Sequence, residues 1–227
     1  MRLPLFQSAN DHSASFLNFR QMLEGRVPDA ALEQIARTFS LQQIRLKITR
    51  GRATKTGDFR PSQNGNPCAI TINENLNPYA CLITLIHELA HYQVYKSKMD
   101  RMFSVRRTRK NYSPHGKEWK ETFRLLFFEY LTEDIFPAPV LDALMIHLEN
   151  PKASTFSDQQ LLRALAVYDA ASGLVTVESL PEGCTFRTTT GRHFRKLEKK
   201  RTRYLCLCLD NRKRYLFSPI AQVTPEE

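Results

Sequence analysis

Between Pro28 and Phe39, apolar residues recur at Ala31, Leu32, Ile35, Ala36 and Phe39. That i, i+3, i+4 spacing lines one face of a helix. Asp29 stands near its start, where a negative charge suits the helix dipole. Ahead of it, Ser13 to Leu23 carries Phe16, Leu17, Phe19 and Leu23, with Gly25 just past the end, and predicts another helix. The period then changes to two. Ile44, Leu46 and Ile48 alternate with Arg45, Lys47 and Thr49, which predicts a half-buried strand with a basic outer face. Residues 50–67 are rich in turn formers and read as a connection, and Cys68 to Asn73 reads as a short returning strand.

A helix beginning near Pro78 is the centre of the pattern. Tyr79, Leu82, Ile83, Leu85, Ile86, Leu89, Ala90 and Val94 are apolar nearly all round, so the helix is buried on most sides. A basic connection is expected from Lys96 to Lys110. A further helix is expected from about His115 to Thr132, with Trp119, Phe123, Leu126, Phe127 and Tyr130. Shorter helices follow at Val140–Leu148 and Asp158–Tyr168. From Gly173 onward, short runs of Val, Thr, Phe, Tyr and Leu are separated by PEG, TTTG and DNRK. They predict a small antiparallel sheet or barrel of about four or five strands. The fold class is α+β. A main domain covers residues 1–150, and residues 151–227 hold a linker helix and a small basic β-barrel-like module.

Composition adds limits. With 227 residues, 42% apolar and 25% charged, the chain can bury a core without disulfide staples, and disorder is excluded as its main description. No apolar stretch reaches membrane-spanning length, and the apolar run at the N-terminus is too short for a signal peptide. The expectation is a cytoplasmic or nucleoid-associated protein that is not secreted, with its five Cys kept as reduced thiols. Cys206 and Cys208 would share one face of a strand as small core side chains. With Cys184 they do not supply the four ligands of a structural zinc site.

Charge is uneven along a chain of net charge +10. Residues 96–120 hold nine Lys and Arg against two acids, and residues 187–214 hold eleven against two. Such clusters suit a polyanion, and the expected partner is nucleic acid, most simply DNA. In the second cluster Arg187, Arg192, Arg195, Lys196, Lys199, Lys200, Arg201, Arg203, Arg212 and Lys213 form the basic face. Phe186, Phe194, Tyr204 and Tyr215 are interleaved as candidates for base stacking.

His87-Glu88-Leu89-Ala90-His91 is HExxH on the central helix. Residues i and i+4 share a face, so both imidazoles can reach one ion. Glu88 beside them suits a general base that takes a proton from water and delivers it to a leaving amine. A catalytic zinc usually has three protein ligands. His115 is the best-placed third, with Glu118 and Glu121 on the same helix as alternatives. His12, His147 and His193 lack such a context and read as surface or capped histidines.

The stretch ITLIHELAHY, followed by SPHGKEW, resembles the SprT-like zinc metalloproteases, which include bacterial SprT and the DNA–protein crosslink protease Spartan. Arg52-Ala-Thr-Lys-Thr-Gly and Ala69-Ile-Thr-Ile-Asn resemble that family's hairpin and the strand bordering its cleft, so the resemblance spans roughly residues 30–130. It implies a zincin-like domain and a zinc metalloendopeptidase. One catalytic zinc would be held by His87, His91 and His115, with Glu88 as the general base and acid. It implies that a protein substrate lies extended along an edge strand near residues 69–73, and that the proteins cut are bound to nucleic acid. The rival reading is a non-catalytic nucleic-acid-binding protein with a structural zinc.

Overall fold

A computed structural model describes residues 9–42, 44–52, 55–63, 65–104, 113–152, 158–169 and 173–226. The first unit, Met1–Tyr168, contains α1 (Ala9–Leu23), α2 (Asp29–Ser40), β1 (Ile44–Thr49), β2 (Gly57–Arg60), β3 (Cys68–Asn73), α3 (Pro78–Ser104), α4 (Lys117–Phe127), α5 (Ala138–Glu149) and α6 (Gln159–Ala166). The second, Asp169–Glu227, contains β4 (Val175–Thr176), β5 (Thr185–Thr188), β6 (His193–Lys200), β7 (Arg203–Cys208), β8 (Arg214–Phe217) and β9 (Gln222–Glu226). The fold is α+β.

In the first unit the central helix is buried as its pattern requires. Leu82, Ile83, Leu85, Ile86, Leu89 and Ala90 are all shielded from solvent, and Ala31, Leu32, Ile35, Ala36 and Phe39 of α2 join the same core. α3 runs to Ser104, so the connection expected from Lys96 is helical over residues 96–104. That stretch contains no Gly or Pro to stop it. The rest of the expected basic connection, residues 105–112, lies outside the described residues. The expected helix over 115–132 is α4 followed by a 3-10 turn at Phe128–Tyr130.

The sheet differs from expectation in two ways. Its order is β1-β3-β2, with β1 and β3 parallel and β2 and β3 antiparallel. The returning strand therefore runs alongside β1 in the same direction, and the hairpin is β2–β3. The strand expected as the edge, residues 69–73, is interior, because β2 occupies its other side. β2 lies within the stretch read as a connection. Gly57-Asp58-Phe59-Arg60 has no apolar alternation. It is a strand because it pairs with β3 and because Phe59 packs on Tyr92 and Tyr95 of α3, with ring centroids 6.1 and 5.7 Å away.

The helix at residues 159–166, placed in sequence with the linker, packs into the first core through Leu161 and Leu165. Asn77 Nδ2 donates to the Leu165 carbonyl at 3.0 Å, and Tyr79 meets Tyr168 edge-on at 4.8 Å. This is why the division between units falls after Tyr168.

The second unit is a six-stranded sheet in the order β4-β9-β5-β6-β7-β8, with every pair antiparallel. It has more strands than expected because the two-residue β4 and the terminal β9 join it. Phe186, Phe194, Cys206 and Cys208 form its core with Val177, Leu180 and Val223. All five cysteines are free thiols. No helix among the described residues is long and apolar enough to cross a membrane.

Candidate metal centre

α3 carries His87 and His91 one turn apart, and the segment entering α4 carries His115. The helix pair brings the three rings together. Nε2 of His91 lies 3.0 Å from Nε2 of His115, which lies 3.3 Å from Nε2 of His87. The ligand atoms of the three residues all lie within 4.8 Å of one another. Trp119 closes the floor of the site. Its ring centroid is 4.7 Å from His87, 5.4 Å from His91 and 4.7 Å from His115, and it stacks on Phe123 at 4.8 Å.

Burial holds these imidazoles neutral. His87 is pushed well below its ordinary value by burial, with His91, His115 and His147 adding to the effect. His91 is lowered to about 4 by burial and by His115, and His115 is lowered by burial. A neutral imidazole keeps one nitrogen as a lone-pair donor, so the site presents nitrogen donors without a charge penalty among them. Two nitrogens each about 2.05 Å from a tetrahedral ion are ~3.3 Å apart. The two separations quoted above fit that requirement, so this His group can hold a metal ion. The alternative third ligands are engaged elsewhere: Glu118 pairs with Lys98 at 3.7 Å and Glu121 with Lys117 at 3.8 Å.

Glu88 is buried beside the trio. Burial raises its carboxyl, and the charge of Asp58 raises it further. The Phe59 backbone N–H, Lys55 and Arg52 pull it partly back, leaving it at about 7. Asp58 stays ionised although burial works against it, because Lys55 at 2.8 Å and Arg60 at 3.0 Å hold its carboxyl below the usual range. Gly57 makes the close approach possible: a Cβ there would lie 2.8 Å from Glu88 Oε1 and 2.6 Å from Thr84 Cγ2. Sequence reasoning missed this support from β2, since it depends on a strand whose own residues do not announce it. Arg52 is tied to the end of β3, its Nε donating to Asn73 Oδ1 at 2.9 Å.

The remaining histidines separate. His193 is half-buried and pairs with Glu226 at 2.9 Å. His147 is a correction. It is buried, with Nδ1 3.0 Å from Asp158 Oδ2, because position 147 continues the apolar face of Val140, Ala143 and Leu144 on α5. The side chain of His12 and all of Tyr112, a weak candidate for stabilising an oxyanion, lie outside the described residues.

The basic module also departs from expectation. Phe186 and Phe194 are core residues, and Tyr204 and Tyr215 pack against the same core. Lys196 is buried: Nζ donates to the carbonyls of Leu180 and Glu178 and lies 4.1 Å from the Tyr204 ring centroid. It therefore does not belong to the basic face.

No family model, no curated protein and no solved structure matches the chain.

Proposed function

We propose that the chain is a zinc-dependent metallopeptidase of the SprT-like type that acts on proteins bound to nucleic acid. The observation that carries this reading is the convergence of three neutral imidazoles beside a buried carboxyl whose pKa is about 7. Three nitrogen donors suit zinc, and His87, His91 and His115 would hold it. When bound, zinc supplies Lewis-acid polarisation of a carbonyl and lowers the pKa of water.

The chain's own contribution is proton handling and alignment. A carboxyl near pH 7 exchanges protons in both directions at working pH, so a Glu88 oxygen can take one from water and later release it to the leaving amine. Alignment comes from β2. Asn73 N donates to Thr56 O, so in the antiparallel ladder residues 58 and 60 bond toward β3 while 57 and 59 turn their backbone groups away from it. On that side the Phe59 N–H faces Glu88, which leaves the Gly57 backbone and the Phe59 carbonyl to pair with an extended substrate. In this reading β2 takes the role expected of residues 69–73.

The test is cleavage of a DNA-binding protein by the zinc-loaded enzyme, with and without DNA, beside Glu88→Gln. Glu88→Gln is expected to keep stoichiometric zinc and to lose cleavage by roughly 100-fold or more. A Glu88→Gln protein that matches wild type would sink the peptidase reading and favour a structural zinc in a binding protein.

A further inference from the structure

Two arginines of the second unit adopt a backbone conformation that suits glycine. Arg201 has φ +45° and Arg212 has φ +57°. At the other left-handed positions among the described residues the chain uses glycine, at Gly25, Gly65, Gly173, Gly183 and Gly191. A side chain with a Cβ is disfavoured there. Both arginines sit at hairpin tips, Arg201 between β6 and β7 and Arg212 between β7 and β8. Strain of this kind persists where the side chain is worth more than the comfort of the turn.

The tips lie at opposite ends of β7, whose six residues span ~20 Å. Register puts Arg195, Leu207 and Arg214 side by side on one face, and Phe194, Cys208, Lys196, Cys206 and Tyr215 on the other, which is the core. Arg203 falls on the outer face at one end, beside the Arg201 tip, and Lys213 adjoins the Arg212 tip. None of Arg195, Arg201, Arg203, Arg212, Lys213 and Arg214 makes an ion pair among the described residues. The result is a track of cations, interrupted at its middle by Leu205 and the exposed Leu216, with an arginine tip at each end.

We propose that this outer face of β6, β7 and β8 grips the phosphate backbone of duplex nucleic acid, with Arg201 and Arg212 as its two end contacts. A duplex carries one phosphate per about 1.7 Å of axis, so ~20 Å of it holds about twelve phosphates, of which those on the near side face the track. Guanidinium groups suit phosphate oxygens by their forked geometry. Single strands are held largely by stacking bases on exposed aromatics. Here Phe186 and Phe194 are buried, and Tyr204 and Tyr215 pack with them on the inner face. Recognition through charge alone favours the form with the higher charge density. It is independent of base sequence.

The proposal rests on the nucleic-acid part of the function proposed above, not on its chemistry, and binding is read apart from cleavage. The full chain is titrated against a fluorescent duplex of about 20 base pairs, and against one of its strands, from low to moderate salt. The double variant Arg201→Gly/Arg212→Gly is measured beside it. Wild type is expected to prefer the duplex. The variant is expected to bind it roughly tenfold or more weakly, with a log–log salt slope shallower by about 1.8 for the two lost contacts. Its melting temperature is expected to hold or rise, because glycine relieves both turns. An unchanged salt slope, tighter binding of the single strand, or displacement of the duplex by polyglutamate at equal charge would each overturn the proposal, the last in favour of an acidic protein partner. Loss of cleavage with duplex binding intact would count against the peptidase reading alone.

Discussion

The backbone of Phe59 faces the carboxylate of Glu88 and favours its ionised form, against the burial that raises it. It joins an edge strand to the residue that HExxH marks for proton transfer. The contact exists because Gly57, two residues earlier, lets β2 lie against α3 without a side chain between them.

Gly57→Ala is therefore expected to separate two properties of the site. The new Cβ would meet Thr84 and Glu88 closer than van der Waals contact allows, so β2 must shift, at a cost of about 1–3 kcal/mol. The three histidines lie on α3 and at the entry to α4, away from that clash. Zinc stoichiometry, measured by atomic absorption, is expected to stay at wild type while peptide cleavage falls. Loss of zinc together with activity would mean that β2 supports the histidines as well.

The metal assignment predicts unequal effects along one short stretch. His115→Ala is expected to weaken zinc binding by more than about 100-fold, beyond the effect typical of residues that only support a ligand. Glu118→Ala and Glu121→Ala are expected to leave it unchanged, since both carboxylates pair with lysines. Competition with a chromogenic chelator reads all three. Strong loss in Glu118→Ala would move the third ligand to that carboxylate.

How much of this was legible in the sequence follows from where the information lies. The His87–His91 pair was readable because i, i+4 on a helix is a local rule, and α2 and α3 were readable from apolar period alone; His115 was only the best placed of three candidates, since its approach depends on how α4 packs against α3. β2 was not readable from its own residues, since its strand character comes from its ladder with β3; only the resemblance over residues 52–57 pointed to a hairpin there. The parallel pairing of β1 and β3 was hidden for the same reason. Lys196 looked like part of a basic face, but it follows the inward alternation of Phe194 and finds two carbonyls there. Arg201 and Arg212 looked like any other turn cations until their backbone angles were known.

The pH dependence of the metal-free protein has two opposing parts. The three histidines have folded pKa values below the ordinary 6.5. Their contribution to stability is present above pH 6.5 and is lost as pH falls, for His91 down to about 4. Glu88 has the opposite sign: raised from 4.5 to about 7, it stabilises below pH 4.5 and loses that contribution as pH rises through 7. Three groups outweigh one, so the melting temperature of chelator-treated protein is expected to drop between pH 7 and pH 4.5. Glu88→Gln removes the opposing part and is expected to steepen that drop. A shallower drop in Glu88→Gln would contradict the raised carboxyl.

Asp158 gives a prediction confined to stability. Its carboxylate accepts the backbone N–H groups of Gln160 and Leu161, capping α6, and also meets Nδ1 of buried His147. Burial alone would raise this carboxyl, yet His147, the Leu161 N–H and Lys152 hold it below its usual range. The other ring nitrogen of His147, Nε2, is buried without a hydrogen-bond partner among the described residues, so the Asp158 contact carries what polar satisfaction the ring has. Asp158→Ala removes a helix cap, about 1 kcal/mol, and strands a buried ring nitrogen, about 1–3 kcal/mol. A loss of roughly 2–4 kcal/mol is expected in urea denaturation. Asp158→Asn keeps one oxygen to cap the helix in place of Oδ1 and sets its NH2 against His147 Nδ1 in place of Oδ2, so it is expected to lose about 1 kcal/mol less than Asp158→Ala. Zinc content should be unchanged in both. If Asn proves as damaging as Ala, the cap contributes nothing and the loss lies in the bond between Asp158 and His147.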